Sequence, residues 1–359
     1  MSAVDIAAGI VVNALGGLDN PNAAASLAAS SKLAATAADL TVDARCLRDA
    51  HASGATAILV TVGYVAGDAE PWPHTLEEIR TWDAILAARP DDLTPVRRAA
   101  DIEAAKARGR VGIIYGMQNA AAVEDDPERV GELARLGVRA VQLTYNGANR
   151  LGGGAMAAGD PALTPLGRQV VERLEDARLM VDLSHSGERT CLDALAAARR
   201  PVSINHTGCR ALSDLPRNKT DEELRLVAEG GGFVGIYFMP FLRPDGHPAP
   251  DDVAAHVAHA VRVCGEDHVG IGTDGLFTAI DDMTGYRRRL AGHMAERRAA
   301  GVAATGEAPG VVPFVPGLEG PDQLRTLAAL LDRRGFATGR IEKILGANFL
   351  AFARAVWGG

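Results

Sequence analysis

The chain has 359 residues, of which 47% are hydrophobic, and a formal net charge of −8. This hydrophobic content is sufficient for a large core and excludes a disordered chain, and the acidic balance argues against a nucleic-acid-binding surface. The length is ordinary for one α/β barrel, and no break in composition divides the sequence, so we predict a single barrel domain over residues 1–359 that ends in C-terminal helices. A small-molecule partner fits this composition best.

The four cysteines are irregularly spaced and form no C-x-x-C pair, so we expect free, buried thiols in a reducing compartment. The first ten residues, MSAVDIAAGI, lack the basic region and apolar core of a signal peptide. No apolar run is long enough to cross a bilayer. Together these features predict a cytoplasmic protein that does not bind membranes.

Short β-like runs alternate with helical segments along the chain. The first four runs span 10–12, 57–62, 111–115 and 140–145. The fifth run begins at Met180, the sixth begins at Pro201, and the last two span 232–239 and 268–274. Helical composition covers 75–89, 94–109, 127–136, 164–179, 188–198 and 251–264. This alternation predicts an α/β fold, a closed (β/α)8 TIM barrel, with an open doubly wound sheet as the alternative. The runs are almost continuously apolar, as is typical of strands that are buried on both faces.

Polar side chains follow the ends of several runs. They are Gln118, Tyr145, His185, His206 and Asp274, after the third, fourth, fifth, sixth and eighth runs. Because parallel strands end at the same rim, and because a helix joins the fifth run to the sixth, we expect His185 and His206 to lie side by side. Any one of these residues by itself is ordinary, since a lone histidine is usually structural and a lone aspartate often caps a helix.

Two histidines and one carboxylate match the ligand set of a catalytic zinc that keeps an open fourth position. Such a zinc supplies a hydroxide nucleophile near neutral pH. Arg217 lies in the loop after the sixth run, and its planar guanidinium group can hold a substrate carboxylate through two hydrogen bonds. The alternative is that Arg217 is an exposed arginine in a polar surface loop. Tyr145 and Gln118 are further candidates for contact with a substrate.

From about residue 110 to its end, the chain resembles the renal (membrane) dipeptidases, zinc peptidases of family M19 on a metal-dependent, amidohydrolase-like (β/α)8 barrel. The motifs that carry the resemblance are GVRAVQLTYNGANR, LTPLGRQVVERLEDARLMVDLSH, PVSINHTGCRAL, the loop PRN, GGFVGIYFMPFL, HVGIGTD and ILGANFLAFARAV. The resemblance implies that His185 and His206 hold one zinc and that Arg217 holds the substrate carboxylate. It also implies that Asp274 is the acid of the eighth strand and that the protein is a homodimer.

The chain departs from this family at the other half of the metal centre. The first-strand motif Asp-Gly-His-Asn-Asp falls on residues 13–17, so Leu15 and Gly17 replace two zinc ligands. Gln118 stands at the bridging glutamate, and Tyr145 stands at the histidine that the family uses toward the oxyanion. Two Zn²⁺ ions need anionic ligands, so we expect no two-zinc centre. A single zinc, with Asp274 or Gln118 as an additional ligand, and a metal-free site both stay open.

The interpretation that we favour is a dipeptidase-like hydrolase of a small dipeptide or amide that uses at most one zinc. The first alternative is a metal-free enzyme in which His185, His206, Asp274 and Tyr145 serve as acids and bases. The second is a non-catalytic protein that binds a small molecule, because a fold does not by itself determine function.

Overall fold

The structure, a computed structural model, describes residues 6, 8–29, 36–308 and 310–358. Within this part of the chain the strands are β1 (Val12–Asn13), β2 (Ala57–Thr61), β3 (Leu93–Pro95), β4 (Val111–Met117), β5 (Val138–Gln142), β6 (Met180–Asp182), β7 (Ser203–Thr207), β8 (Phe233–Ile236) and β9 (Val269–Ile271). All of the strand pairs are parallel, and the order is β1-β2-β4-β5-β6-β7-β8-β9, with β3 paired to β4 outside this path.

The sheet closes on itself between its first and last strands. The Ala14 N–H donates to the Ile271 carbonyl at 2.9 Å. The Asn13 side chain donates to the Thr273 hydroxyl and accepts from the Thr273 N–H, both at 2.8 Å. Closure satisfies the backbone groups that an open edge would expose. The predicted (β/α)8 barrel is therefore confirmed, and the open doubly wound sheet is excluded.

Helices connect the strands and cover the outside of the barrel. They are α1 (Ala24–Ala29), α2 (Ala44–Ala52), α3 (Pro71–Ala88), α4 (Ala99–Ala107), α5 (Arg129–Leu136), α6 (Pro165–Asp176), α7 (Glu188–Ala197), α8 (Asp221–Glu229), α9 (Pro250–Cys264), α10 (Met283–Ala299), α11 (Gln323–Arg333), α12 (Thr338–Glu342) and α13 (Asn348–Trp357). In α6, Pro165 occupies the first turn, and the Thr164 hydroxyl caps the helix by accepting from the Gly167 N–H at 3.0 Å. Val170 and Leu174 face the sheet and are buried.

One segment that the sequence predicts as helix begins as a strand. Within 94–109 the helix α4 starts only at Ala99, because Leu93–Pro95 pairs with β4. Pro95 disfavours helical backbone at Thr94 and holds the chain extended. The prediction of helix is therefore wrong for the first residues of this segment.

The helix α13 covers the end of the barrel at which the strands begin. Phe349 and Phe352 lie with ring centroids 5.3 Å and 5.9 Å from that of Phe233, at the start of β8. Aromatic packing at the amino ends of the strands stabilises the barrel and leaves the carboxyl ends for chemistry. All four cysteines are free and buried, as predicted. No helix among the described residues has the length and apolar character to span a bilayer.

Candidate active site at the carboxyl ends of the strands

The histidines that follow β6 and lie in β7 are in contact. Nε2 of His185 is 3.0 Å from Nε2 of His206, and the ring centroids are 4.9 Å apart. Behind them the Asp182 carboxylate accepts from the Ser184 hydroxyl at 2.5 Å and from the Asn205 N–H at 3.1 Å. Asp182 therefore supports the turn that presents the histidines.

The hydrogen bonds of His185 determine its tautomer. Nδ1 of His185 lies 2.7 Å from Oδ1 of Asn146, whose Nδ2 donates to the Val302 carbonyl at 2.9 Å. Since Asn146 donates on one side, its oxygen is the acceptor on the other, and Nδ1 of His185 carries the proton. Nε2 of His185 is therefore an acceptor that points into the barrel mouth.

Three side chains converge on this acceptor. His206 Nε2 lies 3.0 Å away, Arg217 Nη2 lies 3.3 Å away, and the Gln118 amide oxygen lies 3.1 Å away. The Gln118 amide nitrogen donates to the Thr61 hydroxyl at 2.8 Å. An amide flip would turn the Gln118 nitrogen toward His185 and keep the bond to Thr61, because a hydroxyl both donates and accepts.

The histidine pair is surrounded by cations and closed to solvent. Arg217 donates to the Ser184 carbonyl at 2.6 Å and is 2% exposed, so it does not lie in a surface loop. Lys219 is equally buried and forms an ion pair with Glu223 at 3.1 Å. Burial, and then the charge of Arg217, hold the pKa values of His185 and His206 well below their usual range. Both imidazoles are therefore neutral at pH 7.

The side chains at this place do not fit the zinc centre that the sequence resemblance implies. No group of three His, Cys, Asp or Glu side chains suited to a metal ion occurs within the described ranges. The possible metal ligands nearest to His185 are another imidazole and the neutral amide of Gln118, and the Arg217 cation lies 3.3 Å from the same Nε2 atom, where its charge repels a metal ion. A carboxylate-bridged pair of zinc ions is incompatible with this set of donors.

Asp274 is the carboxyl group of the mouth, and it lies apart from the two histidines. Its N–H donates to the Leu15 carbonyl at 2.9 Å, and its backbone is left-handed, with φ of 57°. Burial raises the pKa of Asp274 to about 6, while the charges of Arg217 and Arg297 oppose this rise. It lines two adjoining cavities of about 290 and 270 Å³.

Arg297 and Glu307 belong to the site but give no signal in the sequence. Arg297, at the end of α10, forms a two-pronged ion pair with Glu307, with both distances 2.9 Å. Although burial opposes its charge, the pKa of Arg297 is raised, because the Tyr145 hydroxyl and the Glu307 carboxylate lie beside it. Tyr145 packs on His185 with ring centroids 4.3 Å apart and lines a third cavity of about 520 Å³. The run of charges around Arg297 is indistinguishable from an exposed helical face.

The barrel is closed and parallel, with His185 after β6, His206 in β7 and Asp274 after β9. This arrangement is that of an amidohydrolase-like protein. Residues 18–301 match the family model of the membrane dipeptidases, peptidase family M19. The chain belongs to this family, and the resemblance noted in the sequence is confirmed.

Two solved structures resemble the chain over nearly its whole length. An amidohydrolase from Pseudomonas aeruginosa is 29% identical, with a TM-score of 0.82 and 100% of both chains covered. A metallopeptidase from Rhodobacter sphaeroides, solved with a phosphinate mimic of the dipeptide L-Ala-D-Ala, shares the fold at 20% identity, with a TM-score of 0.74 over 97% of this chain and 100% of that one.

An uncharacterized dipeptidase of Schizosaccharomyces pombe is 31% identical over 208 residues, which are 56% of this chain and 50% of that protein. The chain spans between 50% and 69% of the length of this relative and two similar curated ones.

Proposed function

We propose that the chain is a dipeptidase-like hydrolase that cleaves a small dipeptide or amide at the barrel mouth. The observation that carries this proposal is the position of Asp274, a carboxyl group with a pKa of about 6 in the wall of two cavities. A carboxylate with this pKa is ionised at neutral pH and accepts protons more readily than an exposed one. Membership of the dipeptidase family supports the choice of an amide substrate.

The proposed reaction uses the side chains of this chain. The Asp274 carboxylate takes a proton from water as the water oxygen bonds to the amide carbon and the carbonyl oxygen becomes an oxyanion. The charges of Arg217 and Arg297, which act on Asp274, favour that oxyanion in our proposal, and we assign Tyr145, whose hydroxyl lies beside Arg297, as its hydrogen-bond donor. The proton on Asp274 then passes to the nitrogen as the carbon–nitrogen bond breaks, which yields an acid and an amine.

Metal analysis together with a dipeptide panel tests this proposal. We expect turnover in protein purified without added metal, with less than one zinc per chain and little loss of rate after treatment with a chelator. Asp274→Asn should abolish turnover, whereas Asp245→Asn, at an exposed loop carboxylate paired with Arg243, should not. Stoichiometric zinc and loss of activity on chelation would contradict the metal-free chemistry, and absence of turnover on every dipeptide and amide would contradict a hydrolase.

A non-catalytic binding protein is the second candidate, and the burial of the histidine pair favours it. His185, His206 and Arg217 are 4%, 0% and 2% exposed, and both His206 and Arg217 contact Nε2 of His185. Under this alternative a small molecule is bound tightly and returned unchanged. Saturable turnover of any ligand would exclude it.

The assembly and the location of the protein are also proposals. We propose a cytoplasmic homodimer of single-domain chains, on the resemblance to the family and on the even composition of residues 1–359. Light scattering of the purified protein measures the mass, and a single unfolding transition tests whether the chain unfolds as one domain.

A further inference from the structure

A cavity between α10 and the barrel shares Asp274 with the proposed catalytic site. We define this α10 cavity by residues that line it on its two sides, namely Phe238, Asp274, Thr278, Met283, Tyr286 and Phe314. Its volume is about 270 Å³. Since a cavity of about 150 Å³ with apolar walls is sufficient to bind benzene, the α10 cavity has room for one aromatic ring or one branched side chain.

The walls of the α10 cavity are largely apolar and come from two parts of the chain. On the barrel side, Phe238 follows β8, is 2% exposed, and donates its N–H to the Thr273 carbonyl at 3.0 Å. On the outer side, the ring centroids of Tyr286 and Phe314 lie 6.1 Å apart. These two rings pack against a small buried cluster that is separate from the barrel core and consists of Leu290, Met294 and Val312. Each wall is therefore held by packing of its own, and an apolar group between the walls is removed from water.

Thr278 is the polar side chain of these walls that points to a ligand. It is 4% exposed, and its hydroxyl forms no hydrogen bond within the part of the chain that the structure describes. The Gln323 side chain, in the same lining, is paired instead, because it donates to the Leu276 and Gly320 carbonyls, both at 2.9 Å. Buried hydroxyl groups in proteins are normally paired. A ligand with a hydrogen-bonding atom beside its apolar part would supply the partner of Thr278.

Asp274 connects the α10 cavity to the proposed reaction. Its carboxyl group is the proposed base, and the same residue lines the cavity. The hydrogen bond from the Asp274 N–H to the Leu15 carbonyl, at 2.9 Å, holds its backbone at the rim of the closed barrel. When an amide group reacts at Asp274, the side chain next to that amide is therefore within reach of the α10 cavity.

We propose that the α10 cavity binds the apolar side chain of the substrate, an aromatic ring or a branched aliphatic group next to the scissile amide. The ring packs between Phe238 and the pair formed by Tyr286 and Phe314, and the Thr278 hydroxyl bonds to a polar atom of the ligand. This substrate class rests on the hydrolase proposed above. The cavity selects amides with a large apolar side chain over amides that carry only a methyl group.

NMR titration of the full chain with phenylacetamide and with acetamide tests this proposal, because the two compounds share a primary amide and differ in the ring. We expect saturable binding of phenylacetamide and at least tenfold weaker binding of acetamide, since burial of one ring contributes at least a factor of ten in affinity. Equal affinities, or no saturable binding of phenylacetamide, would overturn the proposal.

Two variants with matched controls locate the binding. Met283→Trp fills part of the cavity and should weaken phenylacetamide binding at least tenfold. Thr278→Val keeps the shape of the side chain, removes the hydroxyl, and should weaken binding at least threefold. The controls are Thr284→Trp and Thr284→Val, at the next position of α10, whose side chain is exposed. Thermal unfolding shows whether each variant folds. An unchanged affinity in a folded cavity variant, or an equal loss in its control, would overturn the assignment.

Binding and turnover together separate this inference from the proposed hydrolysis. Phenylacetamide binding that Met283→Trp abolishes, without turnover of any dipeptide or amide, would sustain the site and reject the hydrolase. If alanyl-alanine, alanyl-phenylalanine and phenylalanyl-alanine are hydrolysed with equal kcat/KM, and Met283→Trp leaves those values equal, the hydrolase stands and the site is rejected.

Discussion

The guanidinium of Arg217 lies 3.3 Å from Nε2 of His185, the nitrogen that would otherwise hold a metal ion. It is anchored there by a 2.6 Å hydrogen bond to the Ser184 carbonyl. An arginine cation is permanent, and neutral acceptors such as a carbonyl and an imidazole can accept from its N–H groups, whereas a Zn²⁺ ion at this place would lack anionic ligands. The barrel mouth thus keeps a positive charge that belongs to the chain itself.

Replacing this cation and restoring the carboxylate should recreate affinity for zinc. In Arg217→Ala with Gln118→Glu, His185 and His206 gain a carboxylate neighbour and lose the repelling charge. We expect at least tenfold tighter zinc binding than in the unmodified protein, measured by competition with a chromophoric chelator. The same two changes combined with His185→Ala should show no gain. Equal zinc affinity of the double variant and the unmodified protein would contradict the role given to Arg217.

Asp274→Asn should lower kcat at least 100-fold and leave the fold intact. General-base catalysis contributes about 10²- to 10⁴-fold. The backbone at this position is left-handed, with φ of 57°, and asparagine tolerates that conformation better than other residues with a Cβ. Steady-state kinetics give the loss, and thermal unfolding gives the control. Full activity in this variant would remove Asp274 from the mechanism.

Glu78→Gln should change the pH dependence of stability. Burial raises the pKa of Glu78 from 4.5 to about 7, so the folded chain holds this proton more tightly than the unfolded chain does. The unfolding free energy of the unmodified protein therefore falls as pH rises from about 4.5 to about 7. Relative to it, the variant should gain on the order of 2 kcal/mol at pH 8 and little at pH 4.5. Urea unfolding at both values measures the difference, and a pH-independent difference would be the contrary result.

The ion pair of Arg297 with Glu307 should hold residues 297–308 over the mouth. Its side chains are 13% and 9% exposed, so Arg297→Met leaves a buried carboxylate and should cost about 3 kcal/mol of unfolding free energy. Adding Glu307→Gln should recover part of that loss. Urea unfolding of the two single variants and the double variant gives the coupling energy.

The exposed pair Arg325–Asp322 is the control for this cycle. Its side chains are 47% and 80% exposed, so Arg325→Met should cost at most about 1 kcal/mol. Faster amide exchange in residues 300–308 of Arg297→Met should accompany its loss of stability. Equal losses in Arg297→Met and Arg325→Met would show that the buried pair has no special role.

Much of the barrel could be predicted from the sequence, because its rules are local. Apolar runs separated by helical segments predict strands buried on both faces, and parallel strands end at one rim. That rule alone brings His185 and His206 together, 3.0 Å apart in the structure. The replacement of zinc ligands by Leu15, Gly17 and Gln118 is likewise visible in the sequence, since it concerns residue identity and not position.

Only the tertiary structure determines the contacts between segments that no local sequence pattern connects. Arg217 turns inward onto His185 instead of lying in a surface loop, and Arg297 reaches the mouth from a helix with no distinguishing signal. Trp82 and Asp274 line the same cavity although they lie far apart in the sequence. Such contacts depend on loop paths and on which helix face packs inward, and these follow from the packing of the whole chain and not from any short window of sequence.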